Sequence, residues 1–174
     1  MKFTTHIIFS IFLLMTLYEI YPDLSDIIPF AFALIPAIFG ALLPDIDHPK
    51  AFISQGYWSI LSKAIRMTTG HRGWTHSLLG ATLFTLMFAS FLWYVGISLV
   101  YAFIFLIGYL SHLISDSLNP TKIKWLWPKQ ERYGIGIIKT NSKSEDVFAW
   151  IVAILIAVIY WLDITYGRFI LSKI

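Results

Sequence analysis

Cysteine is absent from the sequence. That excludes disulfides and thiolate metal sites, so any transition-metal centre has to be assembled from histidine and carboxylate. Charge is also scarce: 13% of residues are Asp, Glu, Lys or Arg, and the formal net charge is +3. So small an excess gives no argument for nucleic acid, and no direct nucleic-acid binding is expected. There is no internal repeat, no low-complexity tract and no His-Glu-x-x-His helix of the kind intramembrane zinc proteolysis needs. An ion carrier would need ionisable residues reaching across the membrane, and Asp163 is the one such residue near the far end. Two helix histidines could ligate a haem, but the aspartates around them argue against it.

Apolar length is what the sequence has in abundance. With 57% hydrophobic residues, 17% aromatics and a mean hydropathy of +0.71, the 174-residue chain reads as a single integral membrane domain. The expected fold is an all-α polytopic membrane protein of about five transmembrane helices, near 4–20, 27–43, 74–95, 97–118 and 147–166. Lys2 ahead of an apolar run imitates a signal peptide, yet no pair of small residues follows where cleavage would occur, so a retained first helix is expected. Pro29 and Pro36 predict a kink in the second segment. Gly96 is the expected break between the third and fourth, with Trp93, Tyr94 and Tyr101 as interfacial anchors.

Two loops remain, 44–73 and 119–146. In the first, residues 57–67 place Tyr57, Trp58, Ile60, Leu61, Ala64, Ile65 and Met67 on one arc and Ser59, Ser62, Lys63 and Arg66 on the other. This is the pattern of an amphipathic helix lying in the headgroup plane, or packed on the rest of the protein. In the second, Ser142 and Glu145 read as a capping box opening the last helix, and 133–138 as a short extended piece. Eleven of the 13 Lys and Arg fall on the side of the N-terminus and both loops. The positive-inside rule makes that side cytoplasmic.

On this topology all five histidines reach one face of the membrane. His6 opens the first helix, His48 follows Asp45 and Asp47 at the end of the second, His71 and His76 precede the third, and His112 with Asp116 closes the fourth. Random placement at either face would give that agreement about once in sixteen, and ionisable side chains at membrane depth are costly enough to signal function. His112 and Asp116, four residues apart, share one helix face and could grip one ion. Imidazole and carboxylate suit zinc, with manganese and iron as alternatives, and the number of donors allows one or two ions sharing a carboxylate. A carboxylate of the Asp45 and Asp47 pair could act as base, and Arg72 offers a planar fork to a phosphate. The plainer readings are an interfacial His6, a helix end for Asp45 and Asp47, a loop-surface His71, a bystander His48 and a snorkelling Arg72.

Three ordered motifs carry a resemblance: Leu43-Pro44-Asp45-Ile46-Asp47-His48-Pro49, Gly70-His71-Arg72-Gly73-Trp74-Thr75-His76-Ser77, and Gly108-Tyr109-Leu110-Ser111-His112 through Asp116 to Asn119-Pro120. Together with Thr5-His6 they resemble the YdjM-like family of prokaryotic inner-membrane proteins, described as metal-dependent hydrolases with one branch labelled LexA-binding. The order of donors is more distantly similar to the zinc-dependent phospholipase C and single-strand nuclease group. That likeness implies His6, Asp47 or Asp45, His76 or His71, His112 and Asp116 as metal ligands. Those enzymes add a His-x-x-x-Glu helix, whereas this chain has no histidine after His112, so one or two ions are expected rather than three.

The leading expectation is therefore an inner-membrane hydrolase, metal-dependent and acting at the cytoplasmic face on a phosphoester in a lipid or lipid-linked substrate, with membrane lipids as its partners. The alternative is a non-catalytic, metal-clamped scaffold whose 121–143 loop recruits a soluble cytoplasmic regulator.

Overall fold

The computed structural model describes residues 1–48, 51, 54, 56, 59–69 and 72–166. Among them seven α-helices run in order: α1 Phe3–Ile20, α2 Leu24–Ile27, α3 Phe30–Leu42, α4 Ser59–Thr69, α5 Leu78–Tyr94, α6 Val100–Ser117 and α7 Lys143–Thr165. Two 3-10 turns carry expected site residues, Leu43–Asp47 after α3 and Trp74–His76 before α5. Among the described residues four segments are long and apolar enough to cross a membrane: α1, α3 with its 3-10 extension, α6 and α7. The fifth expected span, α5, is apolar but has 17 residues, about 25 Å of helix.

The second segment divides where proline dictates. Pro29 stands just before α3 with φ −57°, a value already suited to a helix start, and the four-residue α2 fills the turn ahead of it. Pro36 lies inside α3 without interrupting it, and Pro44 converts the helix end into the tighter 3-10 turn. α5 and α6 form the expected hairpin about Gly96, whose φ is +74°.

Packing centres on α3 against α6, with α1 closing the third side. Without a hydrophobic drive between helices in lipid, close backbone approach has to supply the attraction, and small residues allow it. Ala33, Ala37, Gly40 and Ala41 line the buried face of α3. A Cβ added at Gly108 of α6 would lie 2.0 Å from the Ala37 carbonyl oxygen, and one at Gly40 would lie 2.1 Å from that of Phe105. α1 contributes Leu14, Met15 and Tyr18, and the Tyr18 hydroxyl donates to the Ile28 carbonyl at 2.8 Å.

α4 combines both readings of its amphipathic pattern. Ile65 packs on the core beside Leu43 and Ile46, while Ile60 and Met67 are exposed and Lys63 and Arg66 face outward. The capping box takes another form. Ser142 precedes α7 without a side-chain cap, and the Glu145 carboxylate accepts from the backbone N–H groups of Asn141 at 2.7 Å and Lys2 at 2.5 Å, and from the Thr5 hydroxyl at 3.1 Å. Glu145 is fully buried and joins α7 to the start of α1.

The contact at Gly108 sets a stability order. Gly108→Ala forces backbone apart and is expected to cost more than about 2 kcal/mol. Gly96→Ala meets no atom within 4 Å and costs only the left-handed backbone penalty, about 1 kcal/mol. Thermal unfolding of the detergent-purified variants should show the larger fall for Gly108→Ala; equal midpoints would contradict the α3–α6 geometry.

Candidate metal centre

Four parts of the chain meet at one end of the bundle: the first turn of α1, the Leu43–Asp47 turn, the segment 72–76 and the last two turns of α6. They bring His6, Asp45, Asp47, Arg72, His76, His112 and Asp116 together. His6, His76, His112, Asp47 and Asp116 are all at most 1% exposed. Three overlapping groups have donor atoms within 4.8 Å of one another: His6, Asp45 and His112; His76, His112 and Asp116; Asp45, Asp47 and His76. Among the expected site residues, His71 lies outside the described residues. His48 belongs to none of the three groups and lines a neighbouring cavity.

Hydrogen-bond partners decide which nitrogen each imidazole presents. His112 Nδ1 lies 2.7 Å from the Ala41 carbonyl, which can only accept, so Nδ1 carries the proton and Nε2 keeps its lone pair. Ser115 donates its hydroxyl proton to the His112 carbonyl at 2.9 Å, so at 2.8 Å from His6 Nδ1 it must accept. His6 Nε2 is thereby left as an acceptor, buried and with no hydrogen-bond partner among the described residues. Thr75 donates to Asp47 Oδ2 at 2.9 Å and lies 3.2 Å from His76 Nδ1, which again directs the second nitrogen inward. His76 and His112 thus turn their Nε2 atoms toward each other, 3.3 Å apart, and His6 Nε2 faces Asp116 Oδ1 at 3.6 Å. Holding a metal-binding imidazole through its other nitrogen is how outer groups usually fix tautomer and ring orientation.

The separations suit a small divalent ion. Two donors on one tetrahedral zinc, each bound at about 2.0–2.1 Å, lie about 3.3 Å apart. His76 Nε2 and His112 Nε2 are 3.3 Å apart, and Asp45 Oδ1 stands 3.5 Å from the first and 3.8 Å from the second. Asp116 contributes Oδ2 at 3.7 Å from His76 Nε2 and Oδ1 at 3.6 Å from His6 Nε2. With nitrogen and carboxylate donors alone, the set fits zinc, manganese or iron.

The two aspartates of the 3-10 turn have different surroundings. Asp47 accepts from the Arg72 N–H at 2.9 Å and from Thr75, and its Oδ2 is 3.5 Å from His76 Nδ1. It therefore supports the His76 ring and pins Arg72, whose φ is +60°. Asp45 is 19% exposed and turns its carboxylate to the inward nitrogens and the cavity. Asp116 is neutralised from two sides, by Arg72 Nη2 at 2.8 Å and the Met1 amino group at 2.9 Å. His76 sits in the turn ahead of α5, outside the spanning helices. Burial disfavours its charge, but hydrogen bonds to Asp45 and Asp47 outweigh that and raise its pKa to about 9, so Nε2 is free to bind an ion only when the ion displaces its proton.

A cavity of 870 Å³ opens beside the cluster, bounded by Asp45, Arg72, Lys2, Phe3, Asn119 and Lys139. Arg72 Nε is buried and has no hydrogen-bond partner among the described residues. The supporting groups Ser115, Thr75 and Ala41 escape a reading based on ionisable residues. Ser115 has one local signal, its place three residues after His112 on the same helix face.

A family model described as YdjM inner membrane protein matches residues 1–171. Inner membrane protein YdjM of Escherichia coli (strain K12) is 37% identical over 115 residues, covering 63% of this chain and 56% of that protein, and the protein of the same name from Shigella flexneri gives the same figures. Uncharacterized protein YvsG of Bacillus subtilis (strain 168) is 36% identical over 109 residues, covering 62% of this chain and 65% of that protein. The matches thus span between half and two thirds of these relatives' lengths. No solved structure matches. A helical bundle with several membrane-spanning segments, matched over nearly its whole length by one family model, belongs to the YdjM inner membrane protein family.

Proposed function

We propose that the chain is a metal-dependent hydrolase of the inner membrane, acting on a phosphoester in a lipid or lipid-linked substrate, with the site on the cytoplasmic side. The observation that carries the reading is the set of three overlapping His/Asp groups, each with its donor atoms within 4.8 Å of one another and linked through His112, His76 and Asp45. His6, His76, His112, Asp45 and Asp116 would hold one or two ions between them, with Asp47, grouped with Asp45 and His76, available to a second. Zinc, or manganese or iron in its place, supplies Lewis acidity and a nucleophilic water at neutral pH.

The chain's own residues divide the remaining work. Asp47, Thr75, Ser115 and the Ala41 carbonyl keep the three rings in their tautomers and orientations. Arg72 lines the cavity, and its guanidinium, held by Asp116 through Nη2, places positive charge there for a phosphate. Asp45 is the carboxylate on the cavity wall, where an oxygen not held by an ion is placed to take a proton from the attacking water. Lys2 and Lys139 at the cavity's edge favour an anionic substrate. The concentration of Lys and Arg on the site's side supports the cytoplasmic orientation.

Elemental analysis of detergent-purified protein, coupled to phosphate release from phospholipids, tests the proposal. Bound zinc, manganese or iron with release is expected, and a wild type that takes up none of these ions and releases nothing refutes it. Asp116→Asn should weaken metal binding more than about 100-fold and abolish turnover while leaving helix content intact. Ser115→Ala should lower metal affinity by about 10–100-fold, because it removes the acceptor that fixes the His6 ring. An unchanged affinity in Ser115→Ala would mean that His6 is not a ligand.

A further inference from the structure

Residues 133–137 form an exposed strip that the proposed chemistry does not use. Its backbone is fixed: Tyr133 exchanges two hydrogen bonds with Ile123, the Ile135 N–H donates to the Ser117 carbonyl at 2.8 Å, and the Ile138 N–H donates to the Leu118 carbonyl at 2.9 Å. Gly134 allows the strip to lie flat on the end of α6, since a Cβ there would stand 2.3 Å from the Ser117 carbonyl oxygen. Ile123 and Ile138 are buried beneath, whereas Tyr133, Ile135 and Ile137 alternate outward, and the two isoleucines are 71% and 66% exposed. A rigidly held row of apolar side chains is thus turned away from the protein.

The surroundings indicate what covers the row. From 119 to 142 the chain carries Lys122, Lys124, Lys129, Arg132 and Lys139 against a single acid, Glu131. The strip is tied to the last residues of a spanning helix, so it lies at the boundary of the bilayer. On the same end, α4 exposes Ile60 and Met67 beside Lys63 and Arg66. Apolar side chains rimmed with basic ones at that level match the boundary between acyl chains and anionic headgroups. We propose that 133–137 is an interfacial anchor, inserting Ile135 and Ile137 into an anionic leaflet beside the cavity edge formed by Asn119, Pro120, Lys139 and Thr140. The cavity mouth is thereby held at headgroup level.

The absence of cysteine allows a direct test that is independent of any activity. Ile135→Cys, Ile137→Cys and, as a control, Gln130→Cys are each spin-labelled in the full chain and reconstituted into vesicles of phosphatidylcholine with phosphatidylglycerol. Oxygen and a water-soluble nickel chelate then serve as competing relaxants. Labels at 135 and 137 should favour oxygen at least several-fold over the control, and less so in pure phosphatidylcholine. Unfolding midpoints matching the unsubstituted chain establish that the labelled proteins are intact. Labels at 135 and 137 that meet the nickel chelate as freely as the label at 130 overturn the proposal, and would leave the strip to a soluble protein partner. Equal depth in both lipid mixtures overturns the requirement for an anionic leaflet. Because the readout is depth, its failure leaves the hydrolase reading untouched.

Discussion

Carboxylates buried at the end of a lipid-solvated bundle need positive charge or hydrogen-bond donors close by, because the low dielectric makes an uncompensated anion expensive. Asp47 and Asp116 are each 1% exposed, and the surrounding structure is arranged to meet that demand. Arg72 serves both, its backbone N–H on Asp47 and its guanidinium on Asp116. The cost is a non-glycine residue at φ +60°, tolerated because two anions fix it in place. The Met1 amino group takes the other Asp116 oxygen, and the imidazoles surround what remains.

The bundle supplies the precision this compensation requires. His112 takes its tautomer from a carbonyl on α3, so the pairing of α3 with α6 through Gly40 and Gly108 fixes more than their packing: it sets the 2.7 Å contact between Ala41 and His112. α1 is positioned by Ser10 donating to Ala37 and by the stacking of His6 on His112, with ring centroids 3.8 Å apart. Glu145 carries α7 into the same arrangement by binding the backbone of Lys2 and the hydroxyl of Thr5, one residue from His6. A displacement of any one helix would therefore disturb a proton position at the cluster, not only a contact in the core.

How much of this is legible in the sequence depends on range. Apolar length gives the spanning segments, and the placement of His6, Asp45, Asp47, His76, His112 and Asp116 at one face comes from counting those spans. Position along a helix is local information. The roles of Ser115, Thr75 and Ala41 are not local, since each depends on a partner that only tertiary packing brings near. Glu145 shows the same limit: its spacing from Ser142 suggests a cap within α7, and the carboxylate does bind the Asn141 N–H there, but it also reaches the start of α1, 143 residues away. α5 is shorter than its apolar run because Trp74–His76 is drawn into a 3-10 turn that places His76 and frees Ser77 to cap the helix at Gly80. His71, a ligand candidate from its motif, lies outside the described residues.

The distinction between Asp45 and Asp47 is where tertiary structure adds most. Two residues apart in the 3-10 turn that opens at Pro44, they stand about 120° apart around its axis and point in different directions. One carboxylate then meets the segment after the first loop, and the other meets the cavity. The same turn thus divides two chemically identical side chains into a support for His76 and a group on the cavity wall. Exchanging the two environments would require re-forming the turn, so their unequal roles are a property of the backbone as much as of the side chains.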